Sequence, residues 1–225
     1  MKDTGNGLIG KSMMRLALFA VWTGLIQWID LQSIGPAGSM VGFAALNGWF
    51  HGLTGVHWMI YHITDWLGLV PMFVCMLFGM MGCRQMIGRR SLLKVDADII
   101  LLGIYYVIVI AAYLLFEMIP INYRPVLIDG RLEASYPSST TLLVLSVMPT
   151  LRFQITRRWN NQAGRKVVDR FAAAFSALMV IGRLVCGVHW LTDVVGAVLL
   201  SRGLFGLYRA AVLWMEKEER ADGGS

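Results

Sequence analysis

The chain has 225 residues, of which 56% are hydrophobic and only 15% charged, and its mean hydropathy is +0.60. A soluble globular domain carries about 25% charged residues, so this balance excludes that class and points to a membrane protein of about six spans at ~20 residues each. The net charge of +6 would fit a nucleic-acid binder, but its distribution along the chain reads as membrane topology instead.

Lys2, Lys11 and Arg15 lead directly into an apolar run that continues past Ile29 without a small-residue cleavage site. This predicts a retained first span over about 13–29 and no cleaved signal peptide. Residues 36–55 are uncharged and carry Met40, Phe43, Leu46, Trp49, Phe50 and Leu53 at helical spacing. The stretch is short for a span and flanked by Gly and Pro, which fits an interfacial or re-entrant helix. Further spans are predicted over about 61–83, 99–119, 138–155, 171–186 and 189–208. Residues 216–225, rich in Glu, Lys and Gly, are expected to form a flexible cytoplasmic tail after a single domain over 1–215. The expected fold is thus all-α: a polytopic membrane protein with six transmembrane helices and a short interfacial helix on the outer side. Cys75, Cys83 and Cys186 form no CxxC pair and lie in apolar runs, so they read as small buried hydrophobes.

The basic residues sort by loop. All but three of the 20 Lys and Arg precede the first span, lie between spans two and three or four and five, or end the chain. The positive-inside rule assigns those loops and both termini to the cytoplasm. The three left over are Arg124, Arg131 and Arg183, all on the outer side. Arg131 lies near Asp129 and Glu133 and reads as a solvated loop residue. The other two stand beside further polar groups in apolar surroundings.

Arg183, His189 and Asp193 are ionisable groups within the last apolar stretches, where such residues are costly and mark function by default. His189 and Asp193 are four apart and so are expected to share one helix face. A carboxylate there can take one imidazole N–H and leave the other nitrogen free as a nucleophile. Arg183 offers a planar fork for a phosphate or carboxylate. Upstream, Asn122-Tyr123-Arg124-Pro125 follows span three, and Tyr136-Pro137-Ser138-Ser139-Thr140-Thr141 opens span four. Ser138 is a suitable N-cap, and the first turn after it offers free backbone N–H groups for an anion. Two arginines, a helix N-terminus and a His–Asp pair on one membrane face make a phosphate-handling set.

With these residues the chain resembles the type 2 phosphatidic acid phosphatases, six-span enzymes related to the vanadium haloperoxidases. That family's signature has three parts: a Lys seven residues before an Arg-Pro, a Pro-Ser-Gly-His, and a Ser-Arg followed after five residues by a His and after three more by an Asp. Arg124-Pro125 resembles the first part and Pro137-Ser138 the start of the second. Arg183, His189 and Asp193 match the spacing of the third. The resemblance implies a phosphohistidine mechanism without metal or other cofactor. His189 would attack phosphorus and Asp193 would orient it. Arg124, Arg183, Ser138 and backbone N–H groups would hold the equatorial oxygens, with Ser139 and Thr140 beside them.

Two departures carry chemical content. Glu117 stands where the family has Lys, and Ser139-Thr140 where it has Gly-His. The family's second His protonates the leaving group, which Thr140 cannot do near neutral pH. General acid catalysis is worth about 10²–10⁴-fold, so an alkoxide leaving group would suffer most. A pyrophosphate leaves as a phosphate monoester whose second pKa is about 6, and needs no such proton. The expected substrate is therefore a phosphorylated lipid, with an isoprenoid carrier pyrophosphate or monophosphate favoured. The expected location is a bacterial-type inner membrane with the site facing outward, in contact with membrane lipids and no nucleic acid. The alternative is a catalytically impaired relative that binds or moves a phosphorylated lipid. A channel or transporter fits less well, because the ionisable groups cluster at one surface and form no path across the bilayer.

Other polar residues have plainer readings. His51, His57 and His62, near the outer end of span two, are read as interfacial or core residues, with a lesser possibility that one supplies the missing acid. Asp30, Asp65, Glu117, Asp129 and Glu133 are outer-side carboxylates; no ligand spacing compels a metal there, and capping or hydrogen bonding is their default.

Overall fold

Each apolar run singled out as a span is helical in the computed structural model, which describes residues 5–222. Lys2, counted above among the cytoplasmic basic residues, and residues 223–225 of the tail lie outside the described residues. Helix α1 covers Gly5–Ile26 and is followed by a loop with a short 3-10 turn at Pro36–Gly38. Helix α2 is Ala44–Thr54, and α3 (Trp58–Leu67) runs almost without a break into α4 (Leu69–Arg89). Then come α5 (Ala97–Met118), α6 (Ser139–Arg158), α7 (Gln162–Val185) and α8 (Leu191–Asp222). Among the described residues the extended structure is limited to isolated bridges, so the fold is all-α.

Four of these units are long and apolar enough to cross a membrane: Gly7–Ile26, Trp58–Arg89, Ala97–Met118 and Leu191–Glu218. Helices α6 and α7 have 20 and 24 residues, comparable in length but less apolar. The reason for α6 is its place in the fold. It packs against α4, α5, α7 and α8 and buries polar side chains as well as apolar ones. Those polar groups find partners inside the protein, as a low-dielectric interior requires. Tyr105 Oη donates to the Ser146 carbonyl at 3.1 Å, Tyr106 Oη meets Thr150 Oγ1 at 2.7 Å, and Gln154 Nε2 donates to Tyr208 Oη at 2.6 Å. A helix surrounded by protein needs no apolar face toward lipid. Hydropathy alone therefore understates it.

Several boundaries differ from the sequence-based expectation, among them that of α1, which starts at Gly5 and not near 13, and that of α4, which runs to Arg89 and not to about 83. Helix α7 begins at Gln162, well before 171, because Asn161 caps it by accepting from Ala163 N and Gly164 N. Helix α8 begins at Leu191, so His189 lies in a turn and not on a helix face shared with Asp193. Arg183, in turn, belongs to the last turn of α7. At the far end α8 continues to Asp222, so residues 216–222 of the expected flexible tail are helical; Glu, Lys and Arg are good helix formers. Cys83 is exposed and Cys75 half-buried; of the three, only Cys186 is buried.

Helix α1 lies along α8, and the two hold the site end through Trp22 Nε1, which donates to the Thr192 carbonyl at 3.1 Å. Phe19, Phe116 and Tyr136 meet nearby, with ring centroids 5.6 to 6.1 Å apart. At the opposite end, Arg158 pairs with Asp98 at 2.8 Å and Arg157 pairs with Glu216. That end carries the clustered basic residues. Helix α2 turns Leu46, Trp49 and Leu53 outward, while its buried Asn47 donates to Gly42 O and Thr192 Oγ1 at 2.8 and 3.0 Å. The expected short amphipathic helix is present, with its apolar face directed away from the protein.

Candidate active site

The turn from α7 to α8 is shaped by one glycine. Gly187 has φ of +69°, and a Cβ there would stand 1.8 Å from the Gly55 carbonyl oxygen. Only a residue without a side chain accepts both conditions. The His57 N–H donates to the Cys186 carbonyl at 3.0 Å, so the segment after α2 clamps this turn. Asp193, in the first turn of α8, reaches back to accept from the Trp190 backbone N–H at 2.9 Å. An acidic side chain at that place satisfies a free helix N–H and complements the helix dipole. The same geometry fixes the carboxylate beside His189.

His189 is 3% exposed and Asp193 is fully buried. His189 Nδ1 faces Asp193 Oδ2 at 3.7 Å, an electrostatic contact longer than a hydrogen bond. His189 Nε2 meets Arg124 Nη1 at 3.3 Å. A guanidinium can only donate, so Nε2 presents its lone pair and the ring proton belongs on Nδ1, toward Asp193. Burial first, then the positive charges of Arg124 and Arg183, hold the imidazole well below its ordinary pKa. Asn122 Nδ2 approaches the other Asp193 oxygen at 3.5 Å, and the Asn122 carbonyl accepts from both the N–H and the hydroxyl of Ser135.

Arg183 is 2% exposed. Its Nη2 donates to Asp65 Oδ1 at 3.1 Å and to Thr140 Oγ1, and its guanidinium stacks on the Tyr61 ring at 5.1 Å. Its Nε and Nη1 are buried with no hydrogen-bond partner. Two unspent charged donors in a buried fork form an anion receptor. Arg124 is paired with Glu133 at 3.1 Å, and its backbone N–H donates to the Glu133 carbonyl at 3.0 Å.

The fold therefore brings Arg124, Arg183, Thr140, His189 and Asp193 into one connected cluster. Half-buried Ser139 lines a narrow cleft together with His189, Glu117 and Tyr113. Ser138 does otherwise. It immediately precedes α6 as expected, but its hydroxyl makes no capping bond and donates to Thr141 Oγ1 at 3.1 Å. Its N–H donates to the Asp193 carbonyl at 3.2 Å, and the residue is fully buried. Its side chain points into the protein because the first turn of α6 packs directly on that of α8. Arg131 is exposed in its loop, as expected.

None of the three other histidines hydrogen-bonds to this cluster. His57 Nε2 contacts the Thr54 carbonyl at 2.8 Å, His62 packs on Tyr61, and His51 on Trp190. Asp30 caps the start of α2 by accepting from Ala45 N at 2.6 Å. Asp65 and Glu133 are bonded as their default reading has it, each to one of the two arginines. The available signal for Asp65 was a lone carboxylate within an apolar helix. Asn122, Ser135 and Tyr61 had no distinguishing pattern; they join the site only through long-range contacts.

A cavity of ≈ 350 Å³ opens beside the cluster between α4, α5 and α6. Asp65, Ser139 and Thr140 form its polar side, and Leu69, Met72, Ile110 and Leu143 are among the apolar residues that line the rest. Ser139 and Tyr113 line both this cavity and the cleft that holds His189. The two spaces are therefore neighbours across one wall of side chains.

Residues 117–217 match the family model described as PAP2 superfamily. No match is found among curated proteins. The fold is similar to the crystal structure of the first transmembrane PAP2 type phosphatidylglycerolphosphate phosphatase from Bacillus subtilis, with a TM-score of 0.64 and 18% sequence identity over 92% of this chain and 96% of that one. At that identity the likeness concerns the fold alone. The matched stretch begins at Glu117 and contains Arg124-Pro125, Pro137-Ser138, Arg183, His189 and Asp193, the residues on which the resemblance to this family rests. The stretch that holds the site thus matches the PAP2 superfamily, in agreement with the resemblance read from the sequence.

Proposed function

We propose that this protein is a membrane lipid phosphatase acting through a phosphohistidine on His189. The observation that carries the reading is the geometry of His189 Nε2, whose lone pair faces Arg124 at 3.3 Å, close to an Arg183 fork with two unspent donors. The Nε2 lone pair attacks phosphorus, the bond to the leaving oxygen breaks, and the phosphoryl group rests on the ring. Asp193 stabilises the charge that develops at Nδ1. Arg124, Arg183 and the Ser139–Thr140 segment hold the equatorial oxygens, where electrostatic preorganisation contributes most. No metal or other cofactor is invoked.

A lipid substrate is supported by the apolar cavity that adjoins Ser139 and Thr140. The family match and the fold shared with a transmembrane phosphatase support the same class. Thr140 Oγ1 is held by Arg183 and is no general acid, so a leaving group that departs unprotonated is preferred. This favours a lipid pyrophosphate, such as that of an isoprenoid carrier, over a simple monoester. Helices α6 and α7 complete six spans with the four more apolar units. Both termini are then cytoplasmic and the site faces outward across a bacterial-type inner membrane.

A second reading has its own support: Asp65 and Glu133 already occupy parts of Arg183 and Arg124, as they would in a protein that binds a phosphorylated lipid without cleaving it. Phosphate release by wild type and His189→Ala across lipid monophosphates and pyrophosphates separates the two. Release from pyrophosphates that disappears in His189→Ala is the expected result. Equal background release by both proteins, with lipid binding retained, would leave only the binder.

A further inference from the structure

Splitting a phosphohistidine requires a second proton transfer that the cluster above does not provide. Water must attack the phosphorus bound to His189 and lose a proton as it does so. His189 is the leaving group in that step, Asp193 is turned to its other nitrogen, and the two arginines are donors only. Thr140 has no basicity near neutral pH. Among the described residues, Glu133 is paired with Arg124 and Glu117 lines the cleft itself, while Asp65 is the carboxylate that both pairs with Arg183 and lines the cavity next to the cleft. Asp65 accepts from Arg183 Nη2 at 3.1 Å, and Thr140 accepts from the same nitrogen. Its side chain is 60% exposed and, with Ser139 and Thr140, forms the polar side of the cavity. Arg183 holds it in place.

We propose that Asp65 is the general base of the dephosphorylation step; this rests on the phosphohistidine reading above. In an in-line double displacement the departing group and the incoming water use the same apex, opposite the nucleophile. A leaving group that departs unprotonated needs no acid at that apex, which leaves a carboxylate that faces it free to act on the incoming water. When water enters, its oxygen forms the new bond to phosphorus while the bond from phosphorus to His189 Nε2 breaks. The water proton passes to the Asp65 carboxylate and the electron pair of the broken bond returns to the imidazole. Inorganic phosphate departs, and Asp65 returns its proton to solvent. The pairing with Arg183 suits this role, because it orients the carboxylate while the attacking water occupies its free oxygen. It also accounts for a chain that has Thr140 and no histidine at that place: the acid is dispensable for a pyrophosphate, but the base is not.

The test is pre-steady-state turnover of a radiolabelled prenyl pyrophosphate in detergent by wild type, Asp65→Asn, Asp65→Ser, Asp65→Glu and His189→Ala. In Asp65→Asn and Asp65→Ser, steady-state phosphate release falls by about 10²–10⁴-fold. Release of the lipid monophosphate persists as a single-turnover burst, and an acid-labile phosphoenzyme that is stable to base accumulates. Asp65→Glu recovers part of the turnover, and His189→Ala forms no phosphoenzyme. Steady-state release within a few-fold of wild type in Asp65→Asn or Asp65→Ser overturns the proposal. So does loss of burst and phosphoenzyme together with turnover, which would make Asp65 a positioning residue for Arg183. Equal release by wild type and His189→Ala removes the phosphohistidine itself, and the base with it.

Discussion

A guanidinium that is 2% exposed must be matched or must wait for a charged ligand, because leaving charged donors unpaired in a protein interior is costly. Arg183 is matched only in part, by Asp65, Thr140 and the face of Tyr61. His189 is treated in the complementary way. Its surroundings favour the neutral ring, since burial and two nearby arginines all disfavour a further positive charge. A neutral imidazole is the nucleophilic form, and a lowered pKa means that this form survives as the pH falls through the ordinary value of 6.5. Turnover at saturating substrate is therefore expected to hold as pH is lowered through 6.5 and to fall only at more acidic pH. A pH–rate profile whose acid limb is centred at or above the ordinary histidine value would contradict this account of the site.

The elements earn their places through contacts that single helices do not announce. The turn between α7 and α8 depends on Gly187, where a left-handed backbone meets the Gly55 carbonyl. Gly187→Ala must shift one or both segments, and His189 is two residues away. The expected result is loss of at least tenfold in turnover with helical content unchanged, measured by activity beside circular dichroism in the same detergent; wild-type turnover would refute the tight approach. Helix α8 supplies a second case. Gly196 lies against the Tyr136 ring, which a Cβ would meet at 2.4 Å, and Tyr136 Oη is bonded to Thr23 Oγ1 of α1 at 2.7 Å. This close packing joins α1, α8 and the segment before α6. Helix α6 is the element whose composition is most at odds with its position, since Ser146, Thr150 and Gln154 are buried where lipid-facing helices carry apolar residues.

Across the whole molecule, the charged ends and the site are separated along the helices. The cluster of Arg124, Arg183 and His189 lies at one end; Arg157, Arg158, Asp98 and Glu216 lie at the other. If the basic end is cytoplasmic, Arg131→Cys is labelled by an impermeant thiol reagent in intact cells beyond the level of its background, whereas Thr156→Cys is labelled so only after permeabilisation. With Cys83→Ala as background, the reverse pattern would invert the proposed orientation. The sequence by itself determined the membrane class, the helices and the candidate cluster of Arg183, His189 and Asp193, because hydropathy is a property of composition and the spacing of those three residues is local. It also exposed the departures at Glu117 and Thr140. It did not place the turn that takes His189 off the α8 helix, nor turn the Ser138 side chain inward, nor bring Asp65 from α3 to Arg183. Those contacts join residues as much as 118 positions apart, and only the packing of α3, α6, α7 and α8 around one buried arginine decided them.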